Sequence, residues 1–136
     1  MEKVVLRVWL VDAQDAIRQP LAGLLNREPG VECLRNYSSA KALLPALQEL
    51  PPDVILLDAQ MPGMSGVEAV RRIKALAPAT IVLMLTTFAD SDSRKQLLAA
   101  GASDYLFKYI SPGEIIAAIR SAKRSQDSVP QPIPEC

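Results

Sequence analysis

Five short apolar runs alternate with five stretches of helical periodicity along this chain, and that alternation leaves few folds open. Val4–Val11 is apolar apart from Arg7, which reads as a central strand buried on both faces. Val31–Tyr37 alternates apolar and polar residues, as a strand nearer a sheet edge does. Val54–Leu57, Thr80–Leu85 and Asp104–Phe107 supply three more. Strand followed by helix five times over predicts an α/β chain, a (βα)5 doubly wound parallel sheet with helices on both faces.

The helical stretches carry their own punctuation. Asp15 is expected to cap a first helix running to Arg27, bent early by Pro20 and stopped by Pro29 and Gly30. Ser38 or Ser39 starts a second helix to Leu50, which Pro45 should kink or leave irregular. From Gly66 to Leu76, Val67, Val70, Ile73 and Ala77 share one face, and Arg71, Arg72 and Lys74 read as a solvated face. A short helix after the polar run ADSDSRKQ stops at Gly101, a left-handed cap. Ser111 caps and Pro112 begins the last helix, with Ile115, Ile116 and Ile119 facing inward. Residues 1–124 are thus expected to form one domain, and residues 125–136, SQDSVPQPIPEC, a proline-rich linker or a disordered end.

Composition narrows the function classes. With Lys plus Arg and Asp plus Glu both at 15, the chain lacks the basic footprint of a nucleic-acid binder, so any DNA contact would be delegated to another domain. No apolar stretch approaches the roughly 20 residues a bilayer crossing needs, and MEKVVLRV has no signal-peptide order; a cytoplasmic protein without membrane contact is expected. The chain has no histidine, which removes a His-activated nucleophile, most zinc sites and a phosphohistidine of its own. Cys33 lies in a strand-like run and reads as an ordinary buried thiol. Trp9 reads as core, and Met61 and Met64 as loop packing.

Four polar residues fall at strand carboxyl ends: Asp12 after the first, Asp58 after the third, Thr86 after the fourth and Lys108 after the fifth. In an open parallel sheet ligands bind at that edge, where the strand order reverses, and a 2-1-3-4-5 order puts the first and third strands together there. Two carboxylates converging on one crevice repel, so a hard cation such as Mg²⁺ or the Lys108 ammonium must hold both ionised. A phosphoryl group completes the set, with Asp58 as nucleophile and the Thr86 hydroxyl donating to one of its oxygens. A flavodoxin-type cofactor binder or an aspartate-nucleophile hydrolase fits less well. The first strand is followed by no phosphate-cradling Gly-rich loop, and the second residue after Asp58 is Gln60 rather than an acid.

LVD at Asp12, ILLDAQMPGMSGVE around Asp58, VLMLTT at Thr86 and GASDYLFK ending at Lys108 together resemble the response-regulator receiver domains of two-component signalling, over about Val4 to Lys123. MPGMSG, LTTF and FKYISPGEIIAAI are most similar to receivers joined to helix-turn-helix DNA-binding domains, the NarL/FixJ/LuxR-like subfamily. The resemblance implies a flavodoxin-like fold and a signalling acceptor rather than an enzyme. It implies Asp58 as phosphoacceptor, Lys108 as its paired lysine, Thr86 as the switch hydroxyl and Tyr105 as the switch aromatic. Asp12, Asp58 and the Gln60 backbone carbonyl would hold Mg²⁺. A histidine kinase would be the donor and transcription the output, with DNA reached only through an output domain outside this chain; dimerisation through the last helix stays open.

Two departures stand out. Receivers usually have two adjacent acids after the first strand, and here the second is Ala13, which should weaken Mg²⁺. Asp15 could help through water, a role set against capping. The alternative function is a degenerate receiver, an interaction module independent of phosphorylation. The second departure is Tyr109, where many receivers have proline after the lysine, which leaves a cis bond there open.

Overall fold

The computed structural model describes residues 5–61, 63–87 and 91–128. Its elements run β1 (Leu6–Val11), α1 (Asp15–Arg27), β2 (Val31–Tyr37), α2 (Ala40–Leu43), β3 (Val54–Asp58), α3 (Gly66–Leu76), β4 (Ile81–Thr86), α4 (Ser91–Ala100), β5 (Asp104–Phe107) and α5 (Pro112–Ser128). All pairings are parallel, in the order β2-β1-β3-β4-β5, so the doubly wound sheet expected from the alternation is what forms.

Side-chain alternation explains why both faces must be covered. Val8 and Leu10 of β1, Val54 and Leu56 of β3, and Leu83 and Leu85 of β4 pack on one side against Leu21 and Leu25 of α1 and Ile115 and Ile119 of α5. Their strand neighbours Trp9, Val11, Ile55, Leu57, Val82 and Met84 pack on the other, against Leu43, Leu47, Val70, Ile73 and Leu97. A strand of period two buried on both faces reads as an unbroken apolar run, which is how these appear in the sequence. Cys33 is buried, and burial pushes its thiol up to about 11, an inert core position.

Local details differ from the sequence reading. Gln14, not Asp15, is the cap residue of α1; Asp15 is the first helical residue, and its carboxylate pairs with Arg18. Pro20 sits inside α1 without ending it. Ser39 caps α2 through Ala42 N–H, but after one turn Pro45 turns the chain into a 3₁₀ segment, Leu44–Gln48, which stops short of Leu50. Lys74 does not join a solvated face: its Nζ donates to the Pro78 and Thr80 carbonyls at 2.8 Å each. α5 continues to Ser128, past residue 124. Val4 and residues 129–136 lie outside the described residues.

Candidate functional site

Register brings the four predicted residues to one edge. Val11 pairs with Leu57, so Asp12 follows its strand beside Asp58 on the adjacent one. Thr86 pairs with Phe107, and Lys108 N–H donates to the Thr86 carbonyl at 2.9 Å. This edge lies where the chain order reverses between β1 and β3.

The two carboxylates are bound alike. Asp12 Oδ1 accepts from Gln14 N–H and Asp58 Oδ1 from Gln60 N–H, both at 2.9 Å, so each acid is oriented by its own turn two residues on. Each Oδ2 lies 2.9 Å from Lys108 Nζ. Asp12 is fully buried and Asp58 is 2% exposed, which makes the shared ammonium the feature that lets two acids stand together. Toward Asp12 the ammonium stands at ion-pair distance without hydrogen-bond alignment, leaving Asp12 Oδ2 as a buried acceptor with no hydrogen bond.

Electrostatics follow from that geometry. Burial raises the Asp58 pKa, and the like charge of Asp12 adds to it; the Gln60 amide and Lys108 pull the other way without cancelling it. For Lys108, burial favours the neutral amine, but the two carboxylates outweigh it and raise the pKa. The resting site therefore holds a protonated lysine between two acids.

Oxygen donors of this kind suit a hard divalent cation. Asp12 Oδ2, buried and short of a hydrogen bond, is an acceptor still available to one, and Asp58 and the Gln60 carbonyl fall on the same edge. The residues fit Mg²⁺ as a sparse set: among the described residues no cluster of three His, Cys, Asp or Glu side chains forms, and Ala13 is exposed with no donor to offer. Asp15 is engaged by Arg18 instead of standing free near the acids.

Thr86 is buried at the end of β4 and, with Tyr105, lines a cavity of about 360 Å³ that Ala59, Gly66 and Leu97 help to close. Tyr105 is half-buried at its side, with the Arg94 guanidinium over its ring at 5.2 Å. Gln60 Oε1 accepts from the Thr87 hydroxyl at 3.0 Å, linking the β3 and β4 loops. No cis peptide occurs among the described residues, so Tyr109 follows Lys108 through a trans bond, its ring stacked on Phe107 at 5.1 Å.

Sequence reasoning missed Arg18. It lies on the buried stripe of α1 with Leu21, Ala22 and Leu25, and the signal for it is a cation at an apolar position of an amphipathic helix.

A sequence model described as the response regulator receiver domain matches residues 8–120. The transcriptional regulatory protein LiaR of Bacillus subtilis is 35% identical over 122 residues, which cover 90% of this chain and 58% of that protein. The response regulator protein VraR of Staphylococcus aureus is 33% identical over 123 residues, covering 90% and 59%. This chain thus spans little more than half the length of those relatives. Among solved structures, a LuxR-family two-component response regulator from Aurantimonas sp. SI85-9A1 superposes with a TM-score of 0.83 at 29% identity, over 89% of this chain and 86% of that one. The response regulator domain of CheB from Thermotoga maritima gives 0.78 at 27%, over 93% and 99%.

Proposed function

Because this chain belongs to the response regulator receiver domain family, we propose that it is the phosphoacceptor of a two-component pathway, taking a phosphoryl group onto Asp58 from a phosphohistidine on a partner kinase. One observation carries the reading: two buried carboxylates, Asp12 and Asp58, share the Lys108 ammonium at 2.9 Å each, at the sheet edge where ligands bind. An Asp58 oxygen attacks phosphorus, forming an acyl phosphate. The bond from phosphorus to the donor imidazole nitrogen breaks, and that nitrogen keeps the electron pair and takes a proton from water. Lys108, held protonated by its acids, neutralises the oxygens of the transferred group.

Asp12, Asp58 and the Gln60 carbonyl would hold Mg²⁺, whose charge would offset that of the phosphoryl oxygens. Thr86 donates its hydroxyl to the new group, and Tyr105 turns inward toward the 360 Å³ cavity they both line. That shift between two surface states at β4, α4, β5 and α5 is the output signal. Transcription is the proposed output, through a DNA-binding domain outside residues 1–124, with the cytoplasm as the place of action and residues 125–136 as a linker.

Incubation with acetyl phosphate at graded Mg²⁺, followed by intact mass measurement and mapping of the adduct, tests this. One phosphoryl group on Asp58, with a weak Mg²⁺ dependence that Ala13→Asp strengthens, is expected. A group mapped elsewhere sinks the assignment. The exposure of Ala13 and the capture of Asp15 by Arg18 favour a second reading, an interaction module indifferent to phosphorylation. It requires no adduct at any Mg²⁺ concentration and partner binding unchanged by Asp58→Ala.

A further inference from the structure

Arg18 is 7% exposed, and its guanidinium meets three acceptors on three elements. Nη1 donates to the Asp12 main-chain carbonyl at 2.6 Å, Nε donates to Asn36 Oδ1 on β2 at 2.9 Å, and Nη2 pairs with the carboxylate of Asp15 at the start of α1. A guanidinium is a rigid planar fork, so three such contacts fix its plane and hence the groups it binds. The carbonyl it holds belongs to the residue whose carboxylate faces Lys108. Fixing that carbonyl fixes the peptide plane from Asp12 to Ala13 and, with it, the direction in which the Asp12 side chain leaves the strand.

Little else steadies that side chain. Its Oδ1 has the Gln14 amide, which lies in the same loop, and its Oδ2 has no aligned hydrogen bond. Ala13 contributes nothing polar. The loop's anchorage outside itself therefore comes from Arg18, which also holds Asp15 against the helix and away from the acid pair.

We propose that Arg18 is a positioning residue for the acidic pocket, setting the aim of Asp12 through its carbonyl and stapling the loop through Asp15 and Asn36. The proposal rests on the reading of Asp12 and Asp58 as the cation and phosphoryl site. Because Arg18 touches neither reacting group, its removal should weaken the cation site without abolishing the nucleophile.

The test is a Mg²⁺ titration of ¹⁵N-labelled chain, following the Gln14 and Gln60 amides, which report on Asp12 and Asp58 separately. Wild type is compared with Arg18→Met, Arg18→Lys and Asn36→Ala, with a thermal melt for each. Arg18→Met is expected to raise the Mg²⁺ midpoint by about tenfold or more, as loss of the group that orients a metal ligand does. Lysine should restore part, since an ammonium can serve one acceptor but not all three, and Asn36→Ala should give a smaller rise.

Variants that melt earlier but keep the wild-type midpoint overturn the proposal, because a purely structural residue behaves so. If Arg18→Met does not fold, wild-type midpoints in both Arg18→Lys and Asn36→Ala overturn it equally. A wild-type chain that neither responds to Mg²⁺ nor accepts phosphate from acetyl phosphate fails the proposed function itself, and this inference falls with it.

Discussion

Asp12 and Asp58 each turn one oxygen onto the amide two residues along and aim the other at the same ammonium, 2.9 Å from each. Lys108 is thereby the cation that permits two buried acids. Replacing it by methionine leaves both carboxylates without a counter-charge, and we expect a loss of about 3 kcal/mol at pH 7, in the range for breaking a buried ion pair from one side. Urea denaturation at pH 7 and pH 5 measures it. The deficit should shrink at pH 5, where one acid can take up a proton. An equal deficit at both pH values would show that the loss arises from packing.

The pH dependence of the wild-type domain has two opposite parts. A folded lysine pKa raised above the unfolded value means that the Lys108 contribution is complete below about pH 10.4 and is lost as pH rises through the folded value. Asp58 works the other way. Its folded pKa is raised, so its ionisation costs stability at neutral pH, and the cost fades as pH falls through the folded value toward about 3.9. Asp58→Asn, which keeps an oxygen for the Gln60 amide, should therefore raise the melting temperature at pH 7 by about 4 °C, as ~1 kcal/mol does in a domain of this size. Melts from pH 7 to pH 4 check this. A variant that melts at or below wild type at pH 7 contradicts it.

The sheet and the site edge were legible because their signals are local. An apolar run stopped by Asp58 marks both a buried strand and its accessible end, and Asp12, Thr86 and Lys108 repeat that signature. The partners of long side chains were not legible. Lys74 looks like any helix-surface lysine, and only the return of the chain through Pro78 and Thr80 turns it into a clasp on two carbonyls. Arg18 was overlooked for the same reason, since two of its three acceptors, the Asp12 carbonyl and Asn36, reach it only once β1, α1 and β2 are packed. Asp15 carried a capping preference, but its place as the first helical residue depends on where Gln14 leaves the strand end.

Gly101 is the position where α4 passes over that clasp. Its φ is +124°, and an added Cβ would lie 2.8 Å from Lys74 Cγ. Gly101→Ala should cost about 2 kcal/mol, from the left-handed backbone and from displacement of Lys74 off its carbonyls. In a Lys74→Ala background the same substitution should cost less, because only the backbone part remains. Chemical denaturation of the four chains in this double-mutant cycle gives the coupling, and additive effects would refute the steric account.

Thr86 and Tyr105 line one cavity from two adjacent strands, so the response of the surface to phosphorylation should be separable from phosphorylation itself. Thr86→Val keeps the shape and β-preference of the side chain and removes the hydroxyl. With Asp58 and Lys108 untouched, acetyl phosphate should still add one phosphoryl group, more slowly by about tenfold for one lost hydrogen bond to a charged group. The ¹⁵N shifts of α4 and β5 that follow phosphorylation in wild type should be strongly reduced. Full shifts in Thr86→Val would remove Thr86 from the switch. A complete loss of the adduct would instead assign its hydroxyl to the transfer step, because a group that acts only after the acyl phosphate has formed cannot prevent its formation.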